Sequence, residues 1–572
     1  MILFYDWEVF LHDWLVVIMD PSNKKEYNFM NDREGFIEFF EQNKTAIWIG
    51  YNNVHYDQYI TKACILGFDL KKVNDWIIVK EKPGWKYSSL FRTIQMNNYD
   101  VMNRTDRGLK FFEGCMGSMI KESSVDFRIQ RKLTEEEIQE TLKYCRHDVE
   151  ETIKVFLQKI DDFNTIMYFI KHFNLPLSDV SLTKAQLAAK LLGANGKGHS
   201  FDDEFQFPIL DCLDLKKYRY VADWYKNPDN HDYSKSQKGV IVHGVEHKFS
   251  WGGGHGAIPK FHAKGDFLIV DVTAYYPSLQ MQYKFGYRVM DNPENFEFIH
   301  GSNIKFKREG NKKARQPFKI LDNAISGQMK QKSSKMYDPM GNNSICVNGQ
   351  LLLLDLVEHL EPYCKLIQNN TDGILIQLMD YERDFDKIDA EVAKWEKRTG
   401  MKMDFDTFFG EIFQKDVNNY LLIDHENGSI KAKGSYVKKL SDLDCGDFPI
   451  VNKALVEYMV KGTPVETTIY NCNDLKEFQM VTKIGGKYEH LVHGGHELKE
   501  KCVRVFASKK SSDGDLKKLS IRTGKYEKVA NSPEHCFMFN DAIHGVKCPE
   551  YLDKQFYVNM AKRRLSDYGV QL

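Results

Sequence analysis

The sequence predicts a multidomain protein in which an α/β domain is followed by an α+β region. With 572 residues, the chain is long enough for three or four domains. Over the first 190 residues, apolar strand patterns precede a long amphipathic helical pattern, as in an α/β domain. Farther along, an apolar run at 267–270 and two apolar runs around 369–373 predict antiparallel strands with a second core.

Composition excludes several classes of protein. Hydrophobic residues make up 42% of the chain and charged residues 28%, which argues against global disorder and against a small binding module. The 11 cysteines include no Cys-x-x-Cys pair, which argues against a zinc ribbon, a redox motif or a disulfide framework. No apolar run is long enough to span a bilayer, and acidic residues stand where a signal peptide needs an apolar segment. A protein of the cytoplasm is therefore expected.

Charge is unevenly distributed along the chain. The formal net charge is −1, so a polyanionic partner must be held by local patches. Residues 301–335 contain ten basic and two acidic residues, and residues 497–528 contain ten basic and five acidic residues. Both stretches are candidate phosphate-binding surfaces, although such runs are often only solvated faces.

The first α/β elements are two apolar strands, at 1–5 and 46–49, and a helix over about 134–160. Thr134 and Glu137 form a capping-box pattern at the start of this helix. Its apolar residues recur every three or four positions and predict a buried stripe of Ile138, Leu142, Cys145, Val149, Ile153 and Phe156.

Acidic residues accompany each of these elements. Asp6 and Glu8 are two positions apart at the end of the first strand, so both side chains project from one face. Asp57 follows the second strand, after Asn53, and Tyr144 and Asp148 are neighbours on the helix. Clustered carboxylates suit Mg²⁺ or Mn²⁺. For Asp6 and Glu8 alone, an exposed strand end is the more common explanation.

A second pair of acids lies in the later core. Asp271 ends the apolar run at 267–270 and precedes a helix with Pro277 in its first turn. Asp372 lies in the polar turn 369–373 between two apolar strands. Antiparallel pairing could bring Asp271 and Asp372 together, and two carboxylates are the minimum for two-metal phosphoryl transfer.

The N-terminal acids, in their order and spacing, resemble the three motifs of the DnaQ-like 3′–5′ proofreading exonucleases, in the variety with a tyrosine in the third motif. The resemblance implies that Asp6, Glu8 and Asp148 ligate two metal ions and that Asp57 assists. It further implies that Tyr144 orients the attacking water and that Asn53 contacts the frayed single strand.

The later motifs resemble family B DNA polymerases, particularly the compact bacteriophage enzymes. The similarity covers about residues 1–440. Its palm and fingers motifs are Asp271–Ser278, Gln368–Asp372 and Lys319–Gly327. It implies that Asp271 and Asp372 bind two Mg²⁺ or Mn²⁺ ions, with the Val272 carbonyl as a further ligand.

The same resemblance implies nucleotide and DNA contacts. Lys319 would pair with the triphosphate, and Arg308 and Lys312, four positions apart, are expected to share one helix face directed at it. Tyr276 would exclude a 2′-hydroxyl, and Asn323 would line the same pocket. The DNA-binding candidates are Gly253, Tyr420 and Lys433.

Four positions depart from the family pattern. Asn370 replaces an acid, Ser326 a tyrosine, Ala274 a serine and Asn418 a lysine. Asp271 and Lys319 are 48 positions apart, which leaves no room for the insertion that protein-primed relatives carry there. The sequence therefore does not fix the shape of the nucleotide pocket or the processivity of the enzyme.

The resemblance implies an RNase H-like exonuclease domain followed by a right-hand polymerase. The expected boundaries are 1–190 for the exonuclease, 191–300 for a linker region and the first part of the palm, 301–345 for the fingers, 346–445 for the rest of the palm and 446–572 for the thumb. Primed DNA and dNTPs are the expected partners of a monomer. Two alternatives are an exonuclease with an inactive or specialised palm and a DNA-binding scaffold without catalysis.

Overall fold

The computed structural model describes residues 1–103, 107–444 and 447–571. It divides into two compact units, both discontinuous in sequence. The first unit consists of Met1–Thr183, Leu440–Ile450 and Cys472–Tyr557, and the second of Lys184–Lys439, Val451–Asn471 and Val558–Leu572. This division differs from the expected thumb over 446–572, because most of those residues belong to the same unit as the N-terminal acids.

The first unit begins with a mixed five-stranded sheet in the order β3-β2-β1-β4-β5. Its strands are β1 Ile2–Val9, β2 Trp14–Asp20, β3 Lys25–Met30, β4 Ile47–Gly50 and β5 Asn97–Asp100. Strands β1, β4 and β5 are parallel, whereas β2 and β3 are antiparallel to their neighbours. The helices that accompany them are α1 Arg33–Gln42, α2 Asp57–Ile65, α3 Leu70–Ile77, α4 Leu109–Met116, α5 Glu135–Gln158 and α6 Ile160–His172. This arrangement confirms the predicted α/β character.

Helix α5 confirms the predicted capping box. Thr134 accepts a hydrogen bond from the Glu137 N–H, and the Glu137 side chain accepts one from the Thr134 N–H. Cys145, Val149 and Phe156 are buried as predicted. Ile138, Leu142 and Ile153 are only half-buried, whereas the polar Thr141 and Thr152 are buried, so the buried stripe differs in part from the predicted one.

The second unit contains a nine-stranded antiparallel sheet in the order β14-β13-β12-β9-β11-β10-β8-β7-β6. Its strands are β6 Ser236–Val242, β7 Val245–Ser250, β8 Gly253–Ala257, β9 Phe261–Val272, β10 Lys365–Asn369, β11 Gly373–Leu378, β12 Met403–Asp416, β13 Asn419–Asp424 and β14 Ile430–Lys433. The predicted hairpin across 369–373 is confirmed as β10 and β11. The predicted strand at 267–270 is the buried end of the much longer β9.

The second unit also contains helices. They are α7 Lys184–Leu191, α8 Arg219–Lys226, α9 Tyr275–Tyr283, α10 Pro293–Arg308, α11 Lys312–Ser326, α12 Pro339–Leu360, α13 Tyr381–Thr399, α14 Pro449–Lys461 and α15 Val465–Asn471. Helix α12 is buried along most of its length, including its polar residues Asn348 and Asp355, which is typical of a central core helix. Leu268, Val270 and Trp395 belong to the core that α12 shares with the sheet.

The C-terminal part of the first unit consists mainly of two small sheets, β15-β18-β21 and β17-β16-β19-β20. Their strands are β15 Met480–Lys483, β16 Tyr488–His493, β17 His496–Glu497, β18 Cys502–Ala507, β19 Leu516–Ser520, β20 Tyr526–Lys528 and β21 Cys536–Met538. Helix α16 follows over Lys554–Asp567, and most of it belongs to the second unit. Within the described residues, no helix combines the length and apolarity that a membrane span requires.

Candidate active sites

The first candidate site is built on β1 and α5. Asp6 and Glu8 lie inside β1, which runs on to Val9, and not at its end as predicted. They still project from one face of the strand. Asp57, at the first position of α2, is 3% exposed and accepts a hydrogen bond from the Trp7 N–H at 3.2 Å.

The carboxylates of this site influence one another. Burial, followed by the charges of Asp57, Glu8 and Asp148, raises the pKa of Asp6 well above its usual range. Burial likewise raises the pKa of Glu8, and it raises that of Asp57 to about 7. The structure thus brings together the four acids that the sequence singles out.

A divalent cation fits this cluster. Oxygen atoms of Asp6 and Glu8 and the Sγ of Cys145 all lie within 4.8 Å of one another. Burial raises the pKa of the Cys145 thiol, which therefore stays protonated and donates to the Asp6 carbonyl at 3.4 Å. The remaining ligand atoms are hard oxygens, which suit Mg²⁺ or Mn²⁺, and a cation would offset the repulsion among them.

Lys110 is a residue of this site that the sequence analysis missed. Its Nζ lies 2.8 Å from Asp148 Oδ1 and 3.1 Å from Oε2 of the fully buried Glu113. Burial alone would lower the pKa of Lys110, but the two carboxylates outweigh it and raise the pKa. In turn, burial raises the pKa of Asp148 to about 6 although Lys110 opposes the rise. The only sequence signal was the i, i+3 pair Lys110 and Glu113 on one helix face.

Tyr144 is held beside this ion pair. The Nζ of Lys110 lies 4.6 Å from the centre of its ring. Burial, followed by the charge of Asp148, raises the pKa of Tyr144, so its hydroxyl remains protonated and can donate a hydrogen bond. This position is compatible with the predicted contact to a water molecule.

Asn53 occupies a different environment from the predicted one. Its side chain is fully buried, and its Nδ2 donates to Asn98 Oδ1 at 2.9 Å and to the Tyr99 carbonyl at 3.1 Å. These hydrogen bonds connect the loop after β4 to β5, whereas the predicted partner of the Asn53 amide was single-stranded DNA. This position favours a structural role for Asn53.

The second candidate site lies where β9 and β11 pair. Asp271 is in register with Gly373, and the Val272 N–H donates to the Asp372 carbonyl at 2.8 Å. A Cβ at Gly373 would lie 2.0 Å from Asp271 Oδ1, so glycine is required for this close approach. Burial raises the pKa of Asp271, and the charge of Asp372 adds to the rise. The predicted pairing of the two acids is therefore present.

Strand β12 adds two further acids that the sequence analysis missed. Asp404 is in register with Asp271 on β9, and Asp406 lies two positions further along the same face. Lys431 on β14 lies 3.0 Å from Asp406 Oδ2 and 3.6 Å from Asp271 Oδ2. The alternation of Asp404 and Asp406 repeats that of Asp6 and Glu8 and was a usable signal.

Tyr276 lies at the second position of α9, close to Gly253 on β8. Gly253 has φ +146°, and a Cβ there would lie 3.6 Å from the Tyr276 hydroxyl oxygen. Burial raises the pKa of Tyr276, which keeps the phenol neutral. Tyr276, which the sequence predicts to bind the nucleotide, and Gly253, which it predicts to contact DNA, are thus neighbours.

Tyr420 and Lys433 form a register pair between β13 and β14. Tyr420 is only 6% exposed and packs in a core cluster with Phe267 and Leu422. Because Tyr420 is buried, the structure favours a packing role beside β9, the strand that carries Asp271, over a direct contact with DNA. Lys433 is half-buried.

The basic stretch 301–335 forms two antiparallel helices, α10 and α11. His300 and Asn303 on α10 contact Asp322 Oδ2 on α11 at 2.9 and 2.8 Å. Lys319 and Asn323 are exposed and four positions apart on α11, so they share a face of that helix.

The prediction that Arg308 and Lys312 share one helix face is wrong. Arg308 is the last residue of α10 and Lys312 the first of α11. Gly310, with φ +66°, adopts the left-handed conformation that breaks the helix between them.

A cavity of about 400 Å³ lies between α9, α10 and the start of β12. Thr273, Ser278, Lys307 and Arg308 are among its lining residues. Lys307 forms an ion pair with Asp404 in this cavity, and its Nζ lies 3.3 Å from Thr273 Oγ1. Thr273, two positions after Asp271, lines this cavity, and so do the basic side chains of Lys307 and Arg308.

Comparison with known proteins gives a structural likeness but no sequence match. No protein-family model matches the sequence, and no curated protein sequence is similar to it. Among solved structures, the chain is similar to the family B DNA polymerase from the hyperthermophilic archaeon Pyrobaculum calidifontis, at 14% identity and a TM-score of 0.45. The alignment covers 100% of this chain and 78% of the archaeal one. A likeness at this level does not show a function, so the function must be argued from the residues of the two sites.

Proposed function

We propose that this chain is a DNA-directed DNA polymerase of family B, of the compact bacteriophage type, with its own 3′–5′ proofreading exonuclease. The observation that carries the proposal is the presence of two separate carboxylate clusters, one in each compact unit. The pairing of Asp271 with Gly373, which sets Asp372 beside Asp271, supports the polymerase assignment. The substrates are primed DNA and dNTPs.

In the second unit, Asp271 and Asp372, with the Val272 carbonyl, would hold two Mg²⁺ or Mn²⁺ ions. At both sites the ions would activate the attacking oxygen and stabilise the leaving oxygen of an in-line displacement. Lys319 would offset the charge of the triphosphate, and Tyr276 would lie under the sugar and exclude a 2′-hydroxyl.

Other residues of this unit would bind substrate. Asn323 shares a face of α11 with Lys319 and would line the same nucleotide pocket. Arg308 and Lys312 flank the turn at Gly310 and are further phosphate-binding candidates. Gly253 would let the DNA backbone approach closely, because it has no side chain. Lys433 would contact the DNA backbone above the buried Tyr420.

In the first unit, Asp6, Glu8 and Asp148 would hold the ions, with Asp57 in support. The neutral Tyr144 hydroxyl would orient the attacking water. Lys110 would keep Asp148 ionised and would balance negative charge as the phosphodiester bond breaks.

A gel time course of an end-labelled primer on a longer template tests both activities. With Mg²⁺ and dNTPs we expect extension, and with Mg²⁺ alone we expect shortening from the 3′ end. Asp372→Ala should abolish extension and spare shortening, and Asp6→Ala should do the opposite. The exposed acids Asp389 and Glu140 provide matched controls as alanine variants, because they carry the same charge outside both clusters. A wild-type chain that cannot extend any primed template would contradict the polymerase assignment.

A second candidate function is an exonuclease whose palm is inactive or specialised. Two observations favour it: Asn370 supplies no charge in the turn before Asp372, and Lys431 already lies 3.6 Å from Asp271. This candidate predicts shortening with and without dNTPs. Extension that is lost in Asp372→Ala would eliminate it.

A further inference from the structure

Arg504 is a buried arginine whose partners are main-chain carbonyls. It lies on β18 and is 0% exposed. Its Nη1 donates to the Phe539 and Asp541 carbonyls at 3.1 and 2.9 Å. Its Nη2 donates to the Gly114 and Ser118 carbonyls, each at 3.0 Å. One guanidinium thus joins the C-terminal part of the first unit to the end of α4.

The contact is made at the C-terminal end of α4. Gly114 is in the last turn of α4, and its carbonyl already accepts a hydrogen bond from the Gly117 N–H at 3.2 Å, so Arg504 adds a second donor to it. These carbonyls form the negative end of the helix dipole, so a cation is favourable there. Arg504 therefore reinforces the C-terminal end of α4, where Gly117 is the cap residue, although Arg504 is 390 positions away from Gly114.

Further contacts make α4 and the small sheet one packed element. A Cβ at Gly114 would lie 2.7 Å from Val481 Cγ1 on β15, so the helix lies directly against that strand. The Cys502 thiol donates to the Lys110 carbonyl at 3.6 Å. The position of α4 is thus set by β15 and β18 as well as by α5, which Lys110 contacts through Asp148.

Helix α4 carries Lys110, which forms the ion pair with Asp148. A small rotation of α4 about its axis would separate the Lys110 ammonium from Asp148 Oδ1. We propose that Arg504 is a positioning residue of the nuclease site, which holds α4 so that Lys110 stays against Asp148. The proposal rests on the exonuclease function proposed above. It also means that Arg504 belongs to the interior and not to a phosphate-binding surface over 497–528.

Arg504→Lys provides the main test. Lysine retains the positive charge but lacks the planar fork, so it cannot donate to both pairs of carbonyls. We expect kcat for shortening of a single-stranded oligonucleotide to fall about 100-fold with little change in KM, because the reacting groups are misplaced and substrate binding is not. Primer extension should remain at the wild-type rate. Arg92→Ala, which removes an exposed arginine from the same unit, is the control and should leave both rates unchanged.

Two further measurements separate positioning from general destabilisation. In Arg504→Lys, amide hydrogen exchange should accelerate over residues 109–118 and remain slow in α5. The double variant Lys110→Ala, Arg504→Lys should lose no more activity than Lys110→Ala alone, because both changes remove the same interaction. Asn540→Ala, which removes the acceptor of the Arg504 main-chain N–H at 3.0 Å, gives a milder variant in case Arg504→Lys does not fold.

The outcomes are distinguishable. Full nuclease activity in a folded Arg504→Lys protein, or losses that add to those of Lys110→Ala, would overturn the proposal. If wild-type protein and Asp148→Ala are equally inactive as nucleases, the proposed function fails. In that case the exchange of 109–118 still decides whether Arg504 fixes α4.

Discussion

Lys110 Nζ and Asp148 Oδ1 lie 2.8 Å apart and join α4 to α5 inside the cluster of acids of the first unit. The lysine side chain is 11% exposed, so this pair is shielded from solvent. The Lys110 ammonium group is therefore a largely buried positive charge among the carboxylates of this site. Because Lys110 lies beside both Asp148 and Tyr144, a substitution at Lys110 tests directly what this cation contributes to the site.

Lys110→Ala should reduce 3′–5′ shortening by roughly 100-fold, the usual cost of losing one charge-stabilising donor. Lys110 lowers the pKa of Asp148, so its removal should also move the acidic limb of the pH–rate profile to higher pH. Single-turnover degradation of a single-stranded oligonucleotide between pH 5.5 and pH 9 measures both effects. Lys143→Ala, an exposed change on α5, is the control. An unchanged rate in Lys110→Ala would show that the pair is only structural.

Lys431→Ala should make primer extension more sensitive to acid. Burial raises the pKa of Asp271 and Lys431 opposes the rise, so the variant should have a higher Asp271 pKa. Below that pKa, extension should fall about tenfold for each unit by which the pKa rises. Initial extension rates at pH 6.5 and pH 8.5, compared with the exposed control Lys439→Ala, measure this. Parallel pH profiles for the two variants would refute the expectation.

Metal-free protein should be less stable at pH 8 than at pH 5. The pKa of Asp57 is about 7 in the folded protein against an ordinary 3.8, so the folded state binds more protons between these values. Stability is then lost as the pH rises from about 4 to about 7, because the buried cluster must ionise.

Mg²⁺ should offset that loss. We expect the melting temperature to rise more on addition of Mg²⁺ at pH 8 than at pH 5, because protonated carboxyls bind it poorly. Asp57→Asn should reduce the pH dependence, whereas Glu140→Gln, at an exposed position, should not. Equal gains in melting temperature at the two pH values would contradict this account.

Asn370→Asp tests whether the second candidate site lacks a negative charge. Asn370 closes the β10–β11 turn through its N–H, which donates to the Gly373 carbonyl at 2.8 Å, and the substitution leaves this bond intact. A new carboxylate beside Asp372 should lower the Mg²⁺ concentration for half-maximal extension several-fold, because it strengthens the attraction for cations. Asn370→Ala, which removes the amide without adding charge, should not do so. If both variants require the same Mg²⁺ concentration, the turn does not contribute to the metal environment.

Local sequence signals were sufficient for elements whose determinants are close together in the chain. The capping box and apolar periodicity predicted α5, and two apolar runs around a polar turn predicted the β10–β11 hairpin. The alternation of Asp6 and Glu8 predicted their common face. In each case the deciding residues lie within one helix, one strand or one hairpin.

Other features depend on distant parts of the chain. Asp404 reaches Asp271 only because β12 pairs with β9 along the whole of β9, a register that local patterns do not specify. The separation of Arg308 from Lys312 depends on the single residue Gly310. The burial of Arg504 was hidden because a basic residue in a basic stretch suggests a surface position.

The long separation between Gly114 and Arg504 also has a consequence for biosynthesis. Their hydrogen bond joins residues 390 positions apart, and at about 5–20 residues per second the ribosome needs roughly 20–80 s to cover that distance. During this interval α4 emerges without the Arg504 guanidinium at its C-terminal end, while the whole of residues 184–439 is being translated. Nascent chains that stop before β18 would therefore retain the acids of the first unit but lack the arginine that reinforces the end of α4.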